Sequence, residues 1–273
     1  MKLAWATDTH FDFVEREDVV AWCARIAASG AEALLLGGDI ADARSLRDWL
    51  ELICAELAPR PVSFVLGNHD YYHGSIAGVH ADAPAWPARW LGASEPVRLS
   101  ETLSLVGQGG WGDARVGGFL ESPVLLNDYR LIAELAEAKL DRERLLPLLL
   151  EQGEREAQRL RPVLEAALAA SPRVLVLCHV PPFREACWHE GQTSDDDWAP
   201  GFVCGALGEL LLDAARGHPE RELIALCGHT HSPGFARLAP NLVVHTLGAE
   251  YGKPAFVLLE SEALTAGPTA KGL

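Results

Sequence analysis

The sequence has 273 residues, 49% of them hydrophobic, which is enough for one large domain or two small ones around a sizeable core. Its formal net charge of −15 argues against a protein that binds the phosphate backbone of nucleic acids, because such a protein needs a basic surface. No uninterrupted apolar run approaches the roughly 18 residues that cross a bilayer.

The N-terminal residues and the cysteines predict a cytoplasmic protein. Met1 and Lys2 lead directly into LAWATDTH, which has neither the long apolar region nor the cleavage site of a secretory signal. The six cysteines are scattered and form no CxxC pair, so we interpret them as reduced thiols rather than a disulfide framework. We therefore expect no membrane partner.

The first half of the chain alternates strand-like and helix-like segments. Apolar runs predict strands at residues 3–6, 33–36 and 62–66. Helical periodicity predicts helices over residues 15–29 and 44–57. This βαβαβ order is typical of a mostly parallel sheet with helices on its faces.

The middle of the chain interrupts this alternation. Residues 74–100 contain several prolines and turn residues and predict a loop, and residues 102–108 predict a strand. Residues 128–170 are rich in Leu, Ala, Glu and Arg and predict two helices, broken near Pro147 or Gly153. We predict that residues 1–273 form a single domain, in which residues 74–170 contain a helical cap or lid.

The alternation of strands and helices resumes after residue 170. The predicted elements are a strand at 174–177, a helix at 205–216 and strands at 223–226, 235–238, 241–246 and 255–260. The last residues, TAGPTAKGL, are predicted to form a frayed tail.

Polar side chains follow five of the predicted strands, at the point where each strand ends. In chain order these groups are Asp8-Thr9-His10, Gly38-Asp39 with Asp42, Asn68-His69-Asp70, His179, and Gly228-His229-Thr230-His231. Because the functional crevice of an open α/β sheet lies outside the carboxyl ends of its strands, all five groups can converge in space. Residues two apart in an extended chain point the same way, so the two residues of Asp8-x-His10 can reach one site.

The residue types in these groups predict a metal site. Carboxylates, imidazoles and one amide oxygen, without a thiolate, suit Mn²⁺, Fe²⁺/Fe³⁺ or Zn²⁺. About seven candidate ligands are too many for one ion, whereas two divalent metal ions that share a bridging carboxylate would use them all. A single Asp or His after a strand is usually a cap or a turn residue, but five such groups in one chain are hard to explain by turns alone.

The order and spacing of these residues resemble the motifs of the calcineurin-like metallophosphoesterase family. The matching pattern is Asp8-x-His10, Gly38-Asp39-x-x-Asp42, Gly67-Asn68-His69-Asp70, His179 and Gly228-His229-x-His231. The resemblance implies an α/β fold, a four-layer α/β/β/α sandwich, with a binuclear metal centre. It also implies hydrolysis by attack of a metal-bridging hydroxide on phosphorus.

Carried over to this sequence, the resemblance divides the ligands between two metals. One metal would bind Asp8, His10, Asp39 and His231, and the other would bind Asp39, Asn68, His179 and His229. His69 would not be a ligand but would face the leaving group as a proton donor, oriented by Asp42. We interpret Asp70 as a structural residue that accepts hydrogen bonds in the turn.

The motifs also narrow the range of possible substrates. The Ser/Thr protein phosphatase branch has motifs that resemble GDxxDRG and GNHE. This sequence has GDIADAR and GNHD at the corresponding positions, which favours the phosphodiesterase-like branch. We predict a hydrolase of a small phosphodiester or phosphomonoester, with Tyr72, His73 and Arg184 as candidate substrate contacts. One alternative is a nuclease of the same fold, which the acidic charge disfavours. Another is a non-catalytic scaffold, which would normally have lost ligands.

Overall fold

The computed structural model describes residues 1–266, and these residues form two large β-sheets covered by helices. The strands are β1 (Lys2–Ala6), β2 (Ala33–Gly37), β3 (Val62–Val65), β4 (Arg89–Trp90), β5 (Val97–Arg98), β6 (Leu103–Gly107), β7 (Arg173–Leu177), β8 (Trp188–His189), β9 (Gln192–Thr193), β10 (Glu222–Cys227), β11 (Gly234–Ala239), β12 (Leu242–Thr246) and β13 (Val257–Glu260). The helices are α1 (Arg16–Ala28), α2 (Leu46–Leu57), α3 (Ile76–Asp82), α4 (Asp128–Leu131), α5 (Ala133–Ala136), α6 (Arg142–Ala170), α7 (Ala199–Phe202) and α8 (Gly205–Gly217).

The first sheet has the strand order β13-β1-β2-β3-β4, in which β13 is antiparallel to its neighbour and the other pairs are parallel. Successive residues of a strand point to opposite faces, so Ala4 and Leu34 pack with α1 and α2, whereas Leu3 and Leu35 lie on the other face. The predicted βαβαβ start of the chain is therefore confirmed.

The second sheet has the order β11-β12-β10-β7-β6-β5, with four parallel strands at its centre. One of its faces packs against the first sheet, where Leu175 and Ile224 join Leu3 and Trp5 in a shared core. Its other face is covered by α6 and α8. The layers are thus helix, sheet, sheet and helix, as predicted.

The helix α6 differs from the predicted pair of broken helices. It runs without interruption, although Pro147 and Pro162 lie inside it. Packing explains the difference, because α6 buries an apolar face against the second sheet and α8, and this burial outweighs the hydrogen bond lost at each proline. Gly153 does not break the helix; a Cβ there would overlap the buried Asp113 side chain.

Residues 74–170 contribute to the layers as well as to the edge where the strands end. The prediction of a loop over residues 74–100 is wrong, since this stretch contains α3, β4 and β5. β6 belongs to the second sheet, and α6 covers it. Between β6 and α6, the residues from Leu125 to Asp128 line a cavity at the strand ends. That this segment acts as a cap or lid stays a prediction.

The cysteines, the helices and the C-terminal tail bear on the remaining expectations from the sequence. All six cysteines are unpaired thiols. Within residues 1–266, no helix has the length and the apolar character needed to span a bilayer. Most of the predicted C-terminal tail lies outside the described residues.

Candidate metal centre

Loops that follow β1, β2, β3, β7 and β10 bring the predicted ligands to one edge of the two sheets. Five of these ligands have a left-handed backbone conformation, which is rare for residues with a side chain. Their φ angles are 51° at Asp8, 42° at His10, 49° at Asp39, 69° at His229 and 54° at His231. Backbone strain of this kind persists only where the surrounding structure enforces it, so its concentration here marks a functional site.

The first cluster of ligand atoms consists of Asp8, His10 and His231, and each residue offers an atom within 4.8 Å of the others. Nε2 of His231 lies 3.3 Å from Oδ1 of Asp8 and 3.2 Å from Nε2 of His10. Asp8 and His10 are buried, and His231 is partly exposed. These are three of the four residues that the sequence predicts for one metal.

The second cluster consists of Asp39, His179 and His229, again within 4.8 Å of one another. Nε2 of His179 lies 3.3 Å from Oδ1 of Asp39 and 3.1 Å from Nδ1 of His229. The same nitrogen lies 3.2 Å from Oδ1 of Asn68, so the amide oxygen joins the cluster. All four residues predicted for the other metal therefore meet.

The donor set fits two divalent cations. Unprotonated imidazole nitrogens about 3 Å apart present lone pairs to a common point, and a cation between them satisfies both. The two oxygens of Asp39 face different clusters, because Oδ1 lies beside His179 while Oδ2 lies 3.8 Å from Nε2 of His10. This arrangement supports the predicted bridging role of Asp39.

Burial and mutual proximity perturb the pKa values of these groups. Burial acts to raise the pKa of Asp39, but the imidazoles of His179 and His69 hold it well below its usual range. Burial acts to lower the pKa of His179, but the carboxylates of Asp39 and Asp8 raise it to about 10. Burial lowers the pKa of His10 to about 4, and the same cause lowers that of His229 to about 4. A proton on His179 must therefore leave before that nitrogen can bind a metal.

Hydrogen bonds behind the ligands select which imidazole nitrogen faces the centre. Nδ1 of His179 donates to the Gly37 carbonyl at 2.9 Å, which leaves Nε2 toward Asp39. Nε2 of His229 donates to the Gly201 carbonyl at 3.1 Å, which leaves Nδ1 toward the cluster. Carbonyl partners of this kind fix the tautomer of metal-binding histidines.

Asp70 links two of the ligand loops. Its carboxylate accepts hydrogen bonds from the backbone N–H groups of Ile40 (2.8 Å), Ala41 (3.1 Å) and Gly67 (2.7 Å). It is fully buried and thus connects the loop after β2 to the loop after β3. The predicted structural role of Asp70 is confirmed.

The predicted catalytic pair, His69 and Asp42, is not joined by a hydrogen bond. The ring of His69 stacks on Tyr72, with ring centroids 4.2 Å apart, and its Nε2 lies 3.9 Å from Oδ2 of Asp39. The carboxylate of Asp42 instead accepts hydrogen bonds from the backbone N–H and the guanidinium of Arg44. Since Arg44 is only two residues away, this local pair forms readily, and the expectation that Asp42 contacts His69 is wrong.

The three candidate substrate contacts lie in different surroundings. Tyr72 is 7% exposed and lines a cavity beside the centre. His73 is exposed and lines neither of the two cavities described below. Arg184 also lines neither cavity, and its guanidinium pairs with Asp196 at 2.6 Å. A contact with substrate stays a prediction for these residues.

Two cavities adjoin the centre, and residues that the sequence does not single out form much of their walls. The larger, of about 570 Å³, extends toward the β8–β9 hairpin and includes Trp198. The smaller, of about 230 Å³, includes Leu125 and Asp128. Phe202 and Tyr251 line both. These residues lie in loops or in the short helices α4 and α7, without a motif or a periodic pattern that could mark them in the sequence.

Comparison with known proteins identifies the family. The model of the calcineurin-like phosphoesterase family matches residues 1–233, a span that contains every predicted ligand. The chain belongs to the calcineurin-like phosphoesterase family. It is therefore a metal-dependent hydrolase of phosphoric esters, as predicted.

A dimetal phosphatase of known structure shares the fold of this chain, and two further solved structures match it with lower TM-scores. A dimetal phosphatase from Danio rerio is 16% identical with a TM-score of 0.59, and the match covers 94% of this chain and 91% of that one. GAP50, the anchor in the inner membrane complex of Plasmodium, is 12% identical with a TM-score of 0.49, over 91% and 71% of the two chains. A 5'-nucleotidase from Candida albicans is 12% identical with a TM-score of 0.45, over 90% and 45%. No curated protein sequence matches the chain.

Proposed function

We propose that this calcineurin-like phosphoesterase hydrolyses a small phosphodiester that carries an apolar, ring-containing group. The observation that carries the proposal is the position of the predicted metal centre between two cavities. Phe202, His229, His231 and Tyr251 line both cavities, so the cavities meet at the ligands. A phosphodiester has two substituents on phosphorus, and one cavity is available for each.

The walls of the larger cavity support an apolar substituent. Trp198 is 49% exposed and Tyr251 is 48% exposed, and both present aromatic surface to this cavity. Trp198 lies beside Phe202, with ring centroids 5.7 Å apart, and Tyr251 lines the same cavity. Exposed aromatic faces of this kind bind flat apolar groups by stacking and by burial of surface.

The charges around the larger cavity argue against a second phosphate group. Glu190 and Asp195 line it, and no Lys or Arg is among the described residues of its wall. A polyphosphate or a nucleic acid strand would therefore meet like charge. The net charge of −15 acts in the same direction, so a nuclease is disfavoured.

Residues of this chain divide the chemistry between them. Asp8, His10, Asp39 and His231 are proposed to bind one divalent cation, and Asp39, Asn68, His179 and His229 the other. When bound, the two cations supply a water of lowered pKa as nucleophile and positive charge for the phosphate oxygens. His69 lines the smaller cavity without being buried, so its imidazole can give a proton to the departing alkoxide.

The ligand chemistry and the thiols bear on the metal and the compartment. Nitrogen and oxygen donors without a thiolate suit Mn²⁺, iron or Zn²⁺, and we propose Mn²⁺ for reconstitution. The six unpaired cysteines support the predicted cytoplasmic location.

The first test compares two chromogenic esters with Mn²⁺-reconstituted protein. We expect a higher kcat/KM for bis(p-nitrophenyl) phosphate, a diester, than for p-nitrophenyl phosphate, the corresponding monoester. The reason is that the monoester fills only one of the two cavities. A clear preference for the monoester would contradict the proposal.

A variant of the larger cavity tests the apolar substituent. Trp198→Ala should lower kcat/KM for the diester by about tenfold, which corresponds to the loss of about 1.4 kcal/mol of stacking and burial. Leu258→Ala is the matched control, because Leu258 is 41% exposed but lines neither cavity. Equal kcat/KM values for the two variants would refute a role for Trp198.

A further inference from the structure

The side-chain amide of Asn68 is held from behind by two residues of which neither is a predicted ligand. Its Nδ2 donates to Oδ1 of Asp128 at 2.9 Å and lies 3.3 Å from the hydroxyl oxygen of Tyr72. Its Oδ1 faces the second ligand cluster, 3.2 Å from Nε2 of His179. The amide thus points its nitrogen away from the centre and its oxygen toward it.

The carboxylate of Asp128 accounts for this orientation. A carboxylate only accepts hydrogen bonds, so an Asn68 amide turned by 180° would place its oxygen against the oxygen of Asp128. That turned amide would also direct its NH₂ group at the cation position, where only the oxygen can be a ligand. The hydrogen bond with Asp128 therefore selects the one orientation in which Asn68 can bind a metal.

Tyr72 completes the arrangement. Its hydroxyl donates to the same Oδ1 of Asp128 at 2.6 Å, and it can accept from Nδ2 of Asn68. Its ring stacks on His69 at 4.2 Å with an angle of 29° between the planes. Tyr72 therefore contacts both the amide ligand and the proposed proton donor.

Asp128 reaches this position from a distant part of the chain. It begins α4, 60 residues after Asn68, within the segment between β6 and α6. It is only 5% exposed, and a carboxylate is buried at a cost unless hydrogen bonds compensate it. The two donors that compensate it are Asn68 and Tyr72, so its position is tied to the metal centre.

We propose that Asp128 is a positioning residue for the metal centre, with Tyr72 as its partner: Asp128 fixes the amide of Asn68 as a ligand of one of the two cations. The inference rests on the two-metal centre of the proposed function. Through Asp128, the segment between β6 and α6 becomes part of the metal site. Partners behind a ligand typically change metal affinity by 10- to 100-fold when they are removed.

Titration of the metal-free protein with Mn²⁺ in a calorimeter tests the inference without measuring turnover. Asp128→Ala should weaken one of the two Mn²⁺ sites by about 10- to 100-fold and leave the other within about twofold. Asp128→Asn should have a smaller effect, because its amide oxygen can still accept from Asn68 but no longer enforces one orientation. Tyr72→Phe should have a small effect as well, since it keeps the ring on His69.

Glu156→Gln is the matched control. Glu156 is also a buried carboxylate with two hydrogen-bond donors, the side chain of Gln108 and the N–H of Gly110, but it contacts no predicted ligand. The Glu156→Gln variant should bind both Mn²⁺ ions as tightly as the wild type does, even if its melting temperature is lower. A merely structural role for Asp128 would instead lower the melting temperature and leave both affinities unchanged.

The outcomes separate this inference from the proposed function. Two Mn²⁺ sites of unchanged affinity in Asp128→Ala would overturn it. If Asp128→Ala does not fold, Mn²⁺ affinities of Asp128→Asn that equal those of the wild type at both sites would overturn it in the same way. Wild-type protein that binds fewer than two Mn²⁺ ions would instead overturn the two-metal centre on which the inference rests.

Discussion

Replacement of His69 by alanine separates two roles that its position permits. His10, Asp39 and His69 lie close enough together to hold a metal, so His69 could be a ligand. The proposed role is instead that of proton donor, because the ring is 21% exposed and lines the smaller cavity, where a leaving group can reach it. The variant removes the imidazole and leaves the predicted ligands in place.

The size of the effect depends on the leaving group. A positioned general acid contributes about 10²- to 10⁴-fold to the rate, which is roughly 3–5 kcal/mol of the barrier. We expect His69→Ala to lower kcat by that factor for a diester with an alkyl leaving group, because an alkoxide must be protonated. For a p-nitrophenyl ester we expect a loss below about tenfold, because p-nitrophenolate leaves without a proton.

The assay measures kcat for both esters with Mn²⁺-loaded protein and counts the bound Mn²⁺ by calorimetry. His218→Ala is the control, since His218 is partly exposed and pairs with Glu165, away from the described cavities. Loss of a bound Mn²⁺ ion in His69→Ala would show that His69 is a ligand. An equal loss of kcat for both esters would refute proton donation.

Three further predictions concern metal binding and stability. Gly67→Ala should weaken Mn²⁺ binding at least about tenfold in a calorimetric titration, because a Cβ at this position overlaps Asp39 and His179. The control Gly217→Ala should bind Mn²⁺ normally, because Gly217 has open space around it, and equal Mn²⁺ affinities of the two variants would contradict the prediction. Mn²⁺ at a free concentration of about 100 times its Kd should stabilise the fold by about 2.7 kcal/mol per site, and its removal should lose this stability. An unchanged melting temperature after addition of EDTA would contradict this prediction. Burial lowers the pKa of His245 from 6.5 to about 4. Below pH 6.5 the unfolded state therefore binds the proton before the folded state does, and this difference lowers the free energy of unfolding by about 2 kcal/mol at pH 5. Urea unfolding of metal-free His245→Gln should lack this loss, and identical pH profiles of variant and wild type would contradict the reasoning.

The residues proposed as metal ligands belong to groups that can be predicted from sequence, because each group follows a strand end. Parallel strands deliver their carboxyl ends to one edge, so residues as far apart as Asp8 and His231 meet without any signal beyond the order of elements. A mostly parallel sheet with helices on its faces follows in the same way from apolar runs and helical periodicity, whereas the four layers are implied by the family resemblance. Both inferences depend on regular structure, where position in the chain determines direction.

The supporting residues are not predictable in this way. Asp128 and Tyr251 lie in a short helix and a loop, and their contacts with the centre depend on packing of segments far apart in sequence. The single helix α6 shows the same limit, because packing against a sheet outweighs the local effect of Pro147. The predicted contact between Asp42 and His69 is wrong for the opposite reason, since Arg44 is close in sequence and binds the Asp42 carboxylate in place of the distant His69.

A crystal structure of the Mn²⁺-loaded protein with anomalous diffraction data would test the two-metal centre most directly. We expect two anomalous peaks. One should lie among Asp8, His10 and His231, the other among Asn68, His179 and His229, and both should be within ligand distance of Asp39. A single peak, or a second peak bound by His69 in place of Asn68, would contradict the proposed division of ligands.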